Sequence, residues 1–311
     1  MRLVSRADLE ERLAGVKAQV EEPREGIFGP NSAVWPVNRE SLVFLGAGRA
    51  ALLQLAHPFV AVAVDRHSRT RTDPLGRFQR TFAQVFGMVF GDLESAFRAA
   101  RGVHAIHTRI RGEIAQAAGR FEAGTPYEAN EPEALLWVHA TLWDSSILCW
   151  EAIRGRLGDD TRERYYEETR RFAHLFGIPD DVLPGSFSEF RSYMDGMLAG
   201  DTLAVTPCAA EMVRFLFQPP VPGTGHLMRW YARFTAGLLP ERLARDFGLP
   251  SSHPEQHERD LRRLRAVFAR LPERLRYLPA YLEARRRLEG RTDRDFLGEM
   301  LSRLLVGRQQ G

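Results

Sequence analysis

Five of the nine histidines fall between His57 and His139, in segments whose apolar spacing reads as core-facing helix. An imidazole turned toward a protein interior needs a partner, and a metal ion is one of the few that prefers the ring neutral. His107 continues a stripe of Leu93, Ala96/Phe97, Ala100, Val103, Ile110 and Ile114 at the spacing of one buried helix face. His104 lies close to the same face, nearer its edge. His139 shares a second stripe with Leu135, Leu136, Leu142 and Trp143. Upstream, residues 76–90 spell a two-faced helix. Phe78, Phe82, Val85, Phe86 and Val89 form one side, and Arg77, Arg80, Thr81 and Gln84 the other. That polar face is either wet or a set of donors suited to a carboxylate, bound dioxygen or an oxyanion. A lone histidine on an apolar face is usually a satisfied core residue. Two of them beside a cationic helix describe a pocket for a flat apolar cofactor with acidic substituents.

Pattern excludes several other chemistries. Glu-x-x-His, His-Glu-x-x-His and Cys-x-x-Cys-His do not occur, so ferritin-type, zincin and covalently attached haem sites lack their ligands. Neither cysteine, Cys149 or Cys208, has the surroundings of a thiolate haem ligand. No Walker loop or Gly-x-Ser-x-Gly elbow is present. Ser41 to Ala51, with Gly46-Ala47-Gly48, imitates the start of a dinucleotide fingerprint, but the sequence after it is helical and offers no second strand with an acidic end. A helix whose glycines allow close packing is the competing reading. A histidine-ligated haem or a histidine-based non-haem site is what remains.

The elements that must position these residues are helices. Strand-like alternation is nearly absent, and periods of three and four predict helices at 6–21, 47–63, 76–90, 92–119, 132–155, 160–176, 187–199, 207–217, 224–237, 240–246, 256–270 and a broken 275–306. Pro and Gly punctuate the breaks, and Thr206-Pro207 is a helix start. At 311 residues with 44% hydrophobic content, the chain reads as a single compact all-α domain. Forty-three basic against 40 acidic residues, interspersed, leave +3 and argue against nucleic acid as a partner. Two cysteines build no disulfide framework and suit a reducing cytoplasm. The charged amino terminus lacks a secretory apolar region, and Ala134–Trp150 is too short and polar to span a membrane. Residues 251–311, with Leu261, Leu264, Val267 and Leu271 at helical spacing, read as amphipathic helices on the same domain. Peripheral membrane contact and oligomeric state stay open.

An ordered series of motifs resembles the oxygenase MpaB family, which includes the latex-clearing proteins and a fungal oxygenase of mycophenolic acid biosynthesis. The series runs His57-Pro58, His67-Ser68, Asp73-Pro74, Arg77-x-x-Arg80-Thr81, Val85-Phe86-Gly87, His107-x-x-Ile110-x-Gly112, Tyr127-x-Ala129-Asn130-x-Pro132, Leu136 to Leu142 and Glu151. Tyr166-x-Glu168, Leu183-Pro184, Val205-Thr206 and Leu238-Leu239-Pro240 extend it, so that it spans residues 41–250, between an extension at 1–40 and the C-terminal helices.

The resemblance implies haem b in a globin-like helical core, with His107 as the iron ligand. Arg77, Arg80 and Thr81 match the distal set of the latex-clearing proteins, where a lysine stands at the position of Arg80 and can close onto the iron. A guanidinium is a poor iron ligand, so no such closed state is expected here. The relatives' distal glutamate has no match, and Asp65 is only a positional counterpart. On this reading Arg80 and Thr81 donate to bound dioxygen, Arg77 braces the distal pocket or a propionate, and His139 and His104 support the cofactor. The expected activity is haem-dependent oxygenation of a small apolar, alkene or isoprenoid-like substrate with O2. The competing readings are a non-catalytic haem sensor or carrier, and a helical protein whose histidines are core residues.

Overall fold

The computed structural model describes residues 2–68, 74–219 and 222–291, except for the side chains of Pro74, Leu75, Arg77 and Phe78. Asp73, the first residue of the Asp73-Pro74 motif, and the segment from residue 292 onward therefore lie outside the described residues. Helix accounts for 67% of the chain; the described residues form fifteen α-helices and one two-stranded sheet, which gives the all-α class expected.

Local chemistry sets the helix starts. Helix α1 (Arg6–Gln19) opens on a capping box: Asp8 N–H donates to Ser5 Oγ, and Ser5 N–H donates to the Asp8 carboxylate. After α2 (Val34–Asn38) come α3 (Val43–Ala56) and α4 (Pro58–His67). Periodicity predicts one helix over 47–63; instead the chain bends by 99° at His57-Pro58. Pro58 has no N–H to donate, and His57 is held extended before it, so the proline begins a new helix. Helices α5 (Pro74–Phe90) and α6 (Leu93–His107) follow, joined only by Gly91 and Asp92, whose carboxylate accepts Ser95 N–H at 2.7 Å. The predicted 92–119 helix ends at His107. Beyond it β1 (Arg111–Glu113) pairs antiparallel with β2 (Pro126–Glu128), Gly112 opposite Tyr127, so Ile110 and Ile114 belong to a hairpin and not to the helical stripe.

The rest of the chain follows the predicted order closely. Helices α7 (Pro132–Arg154), α8 (Asp159–His174), α9 (Phe187–Ala199) and α10 (Pro207–Leu216) precede α11 (Gly225–Gly237), α12 (Glu241–Asp246), α13 (Pro254–Arg270), α14 (Glu273–Arg276) and α15 (Pro279–Leu288). Thr206 Oγ1 accepts Ala209 N–H with Pro207 in the first turn, as the sequence predicts. Helix α13 packs on α7 and α11, and α15 on α5. Leu261 is buried there, whereas Val267 faces solvent at 52% exposure.

The pair α3 and α7 forms the spine. Trp137 Nε1 donates to Leu53 O at 2.9 Å and Gln54 Nε2 to Thr141 Oγ1 at 3.0 Å, tying one end. At the other end the glycines of the dinucleotide-like stretch are helical. A Cβ at Gly46 would stand 2.8 Å from Ser145 O, and one at Gly48 would stand 2.6 Å from Thr235 Oγ1. They serve close approach to α7 and α11, not a nucleotide. Alanine at Gly46 gains about 1 kcal/mol in helix propensity but meets a backbone carbonyl that cannot swing away, an overpacking cost of about 1–3 kcal/mol. Gly46→Ala is expected to lower the urea midpoint, whereas Gly102→Ala, with nothing within 4 Å, should raise it. Equal shifts of the two midpoints would contradict the packing account.

No single described helix is long and apolar enough to cross a membrane; α3 and α4 pass that test only as a bent pair.

Candidate active site

His107 is the last residue of α6, half-buried, and the motif that follows it has a structural reason. Ile110 N–H donates back to His107 O at 3.0 Å and Ile110 O accepts Ala129 N–H at 3.0 Å, locking the helix end onto the strand that leads to Asn130. Gly112 makes this possible: a Cβ there would stand 2.8 Å from Tyr127 Oη and 3.2 Å from Arg66 Nη1. Buried Asn130 thereby becomes the hydrogen-bonding neighbour of the His107 ring. The arrangement offers an imidazole held neutral by burial beside a side-chain amide, and an outer hydrogen-bonding partner of this kind is common for metal-binding histidines.

His104, one turn earlier, is the more buried of the two, at 7% exposure. Its Nε2 donates to Val4 O at 3.0 Å, since a carbonyl only accepts. The stripe reading places it nearer the edge; the N-terminal segment covers it instead. Helices α5 and α6 pack against each other across a two-residue link. Arg80 and Thr81 lie midway along α5, and His104 and His107 form the last turn of α6. Arg80 and Thr81 are exposed, as is Gln84. Arg77 lies on the same helix, but its side chain is outside the described residues. Phe44, Phe82, Val85, Val103 and Leu142, from α3, α5, α6 and α7, are only half-buried and pack against the principal core.

His139 is seated differently. Its Nδ1 accepts the Trp143 indole N–H at 3.0 Å, and its ring stacks on Phe172 at 6.0 Å, deep between α7 and α8. The structure groups it with this aromatic wedge, and groups His104 with His107 and Asn130. His57, at the α3–α4 bend, is buried between Phe59 and Phe121 with Nδ1 unpartnered. His67 closes α4 at the surface, and Asp65 lies just inside it. Sequence reasoning met Asn130 only as a motif letter and missed Val4 and Glu131 altogether. Glu131 precedes α7, with Oε2 buried and unpartnered and its carboxyl pushed up to about 7 by burial and by Glu133.

Three rings are held neutral. Burial lowers His57 to about 4, reinforced by Arg120; burial lowers His107 to about 4, reinforced by His104 and opposed by Asn130; burial lowers His139 to about 3, reinforced by His174. Below their ordinary value of 6.5 the unfolded chain takes up protons that the folded chain refuses. Stability is therefore intact above about pH 6.5 and falls as pH drops toward 4, by on the order of 3 kcal/mol for each of the buried rings of His57 and His139 and by less for half-buried His107. Glu131 acts in the opposite sense, losing stability as pH rises from 4.5 to about 7, and offsets part of this fall. Denaturant midpoints in the absence of added cofactor should fall between pH 6.5 and 4.5, and flat midpoints would refute neutral burial.

The matching sequence family is described as "ER-bound oxygenase mpaB/B'/Rubber oxygenase, catalytic domain", over residues 35–270. No curated protein matches the chain, and no solved structure does.

Proposed function

Because the chain belongs to the ER-bound oxygenase mpaB/B'/rubber oxygenase catalytic-domain family, we propose that it is a haem b-dependent oxygenase with a globin-like core, acting on an apolar alkene or isoprenoid-like substrate with O2. The observation that carries the haem reading is His107 at the end of α6, a half-buried ring held neutral beside the Asn130 amide. Among the described residues no group of three or more His, Cys, Asp and Glu side chains gathers as a multi-ligand metal site would require, so a single-histidine site fits the donor set better than a non-haem centre.

When bound, the haem supplies the activation of dioxygen, and the chain supplies orientation, donors and a dry cavity. His107 holds the iron and Asn130 keeps its ring in one orientation. Arg80 and Thr81, midway along α5, would supply a guanidinium and a hydroxyl to bound dioxygen, with Arg77 one turn earlier on the same helix. Phe44, Phe82, Val85, Val103 and Leu142, half-buried against the principal core, are the apolar groups that would line a site for a hydrocarbon. His139, whose Nδ1 is engaged by Trp143 and whose ring stacks on Phe172, braces α7 against α8. Unpaired Cys149 and Cys208 accord with a reducing compartment such as the cytoplasm.

The test is the absorption spectrum of protein expressed with ample haem supply. A Soret band, with oxygen uptake on adding an isoprenoid, is expected. A Soret band with a stable oxygen-bound spectrum and no uptake assigns a sensor or carrier instead, and no Soret band removes the haem reading.

A further inference from the structure

The N-terminal segment ahead of α1 is bound to both neighbours of His107. Val4 N–H donates to Asn130 O at 3.0 Å, and Val4 O accepts His104 Nε2 at 3.0 Å. One residue therefore bridges the segment just after β2 to the last turn of α6. Its side chain is anchored as firmly. Val4 is 4% exposed and packs with Leu135, Leu136, Ala173, Ile178 and Leu183. The loop beneath is shaped to receive it: Gly177, at a φ of 73°, passes so close that a Cβ there would stand 2.3 Å from Val4 Cγ1. The helix that follows is docked by charge. Arg101 of α6 grips Glu10 through two nitrogens, at 2.8 and 2.7 Å, and Arg12 pairs with Asp180 just after α8. All of these N-terminal contacts lie upstream of residue 35, where the family match begins.

The geometry points to a strap: residues 2–5 fix the orientation of the His107 ring through Val4, Asn130 and His104, so that an element outside the shared catalytic domain positions the candidate iron ligand. The inference rests on His107 being that ligand only for its haem consequences; the strap itself is a property of the protein without cofactor. Val4 and His104 are positioning residues, acting through Asn130 and through the last turn of α6. A chain whose strap is loosened should keep its helices and hold His107 less uniquely.

The test uses full-length protein and two readouts. Histidine-ring nitrogen NMR of the cofactor-free protein at one pH reports the tautomer and order of His107, assigned by its absence in His107→Ala. Haemin titration with ferric EPR reports the ligand field at the iron. Val4→Asp is expected to broaden or shift the His107 ring signals, weaken haemin binding about tenfold or more, and spread the EPR spectrum over more than one form, with far-UV circular dichroism unchanged. If Val4→Asp fails to fold, the His104 pair decides: His104→Leu should reproduce these changes, and His104→Gln, which keeps a side-chain N–H for Val4 O, should restore the wild-type signals. Ring signals that move while wild type binds no haemin would leave the strap standing and remove the haem reading. Unchanged ring signals in Val4→Asp or in His104→Leu, with haemin binding as in wild type, would overturn the strap.

Discussion

Replacing His107 by alanine is expected to abolish stable haem binding, with haemin affinity falling by more than the roughly 10–100-fold usual for loss of an outer partner of a metal ligand. Arg80→Ala should leave the Soret band in place and change oxygen consumption alone. The contrast follows from position. His107 is half-buried at the end of α6, neutral because burial has lowered it to about 4, and flanked by Asn130; Arg80 is an exposed guanidinium on α5. His139→Leu separates this account from a two-histidine one. That ring already accepts the Trp143 N–H and stacks on Phe172, so its loss should lower stability and leave the haem spectrum unchanged. A His107→Ala protein that purifies with full haem would overturn the ligand assignment.

The second large effect concerns the spine. Arg49 of α3 and Asp144 of α7 are an ion pair at 2.7 Å with side chains 4% and 3% exposed. Arg49 also donates to Leu238 O at 2.9 Å and Ser145 Oγ at 2.8 Å, while Arg191, half out in solvent, reaches the other oxygen of Asp144. Asp144→Asn removes the anion facing a buried guanidinium whose other two partners are neutral. The expected loss is about 3–5 kcal/mol, a large part of the roughly 5–15 kcal/mol typical of a folded domain. Arg191→Gln, breaking the exposed arm, should cost about 1 kcal/mol or less. The double replacement Arg49→Met with Asp144→Leu should recover most of the loss, because it removes both charges together. Chemical denaturation of wild type and these three variants checks this; an Asp144→Asn variant as stable as Arg191→Gln would show that the pair is not an isolated buried charge system.

Helix α9 is legible at its observed ends, 187–199, and α7 to within a residue, because a buried stripe, a proline and a glycine are local signals that no distant contact has to supply. The two larger misreadings share a cause. Residues 47–63 and 92–119 carry helical spacing throughout, yet Pro58 starts a second helix and the chain after His107 pairs as a hairpin. Apolar residues at helical spacing cannot show whether the backbone hydrogen bonds stay within the segment or go to a strand ten or more residues away. His107 thus stands out from a stripe part of which is not helix. Its neighbours correct the picture: His104 is the more buried, and Asn130, visible only as one letter of a motif, is the ring's partner.

Residue order alone was enough for the all-α class, the family membership and the histidine to examine first, since each depends on types and spacings within short windows. Tertiary structure decided which groups meet. Val4 reaches His104 across 100 positions, Arg49 meets Asp144 across the spine, and Gly46 and Gly48 touch α7 and α11 where a nucleotide loop was the competing reading. The reason is that burial periodicity follows from backbone geometry one turn at a time, whereas a hydrogen bond between distant segments forms only after packing has brought both ends to one place.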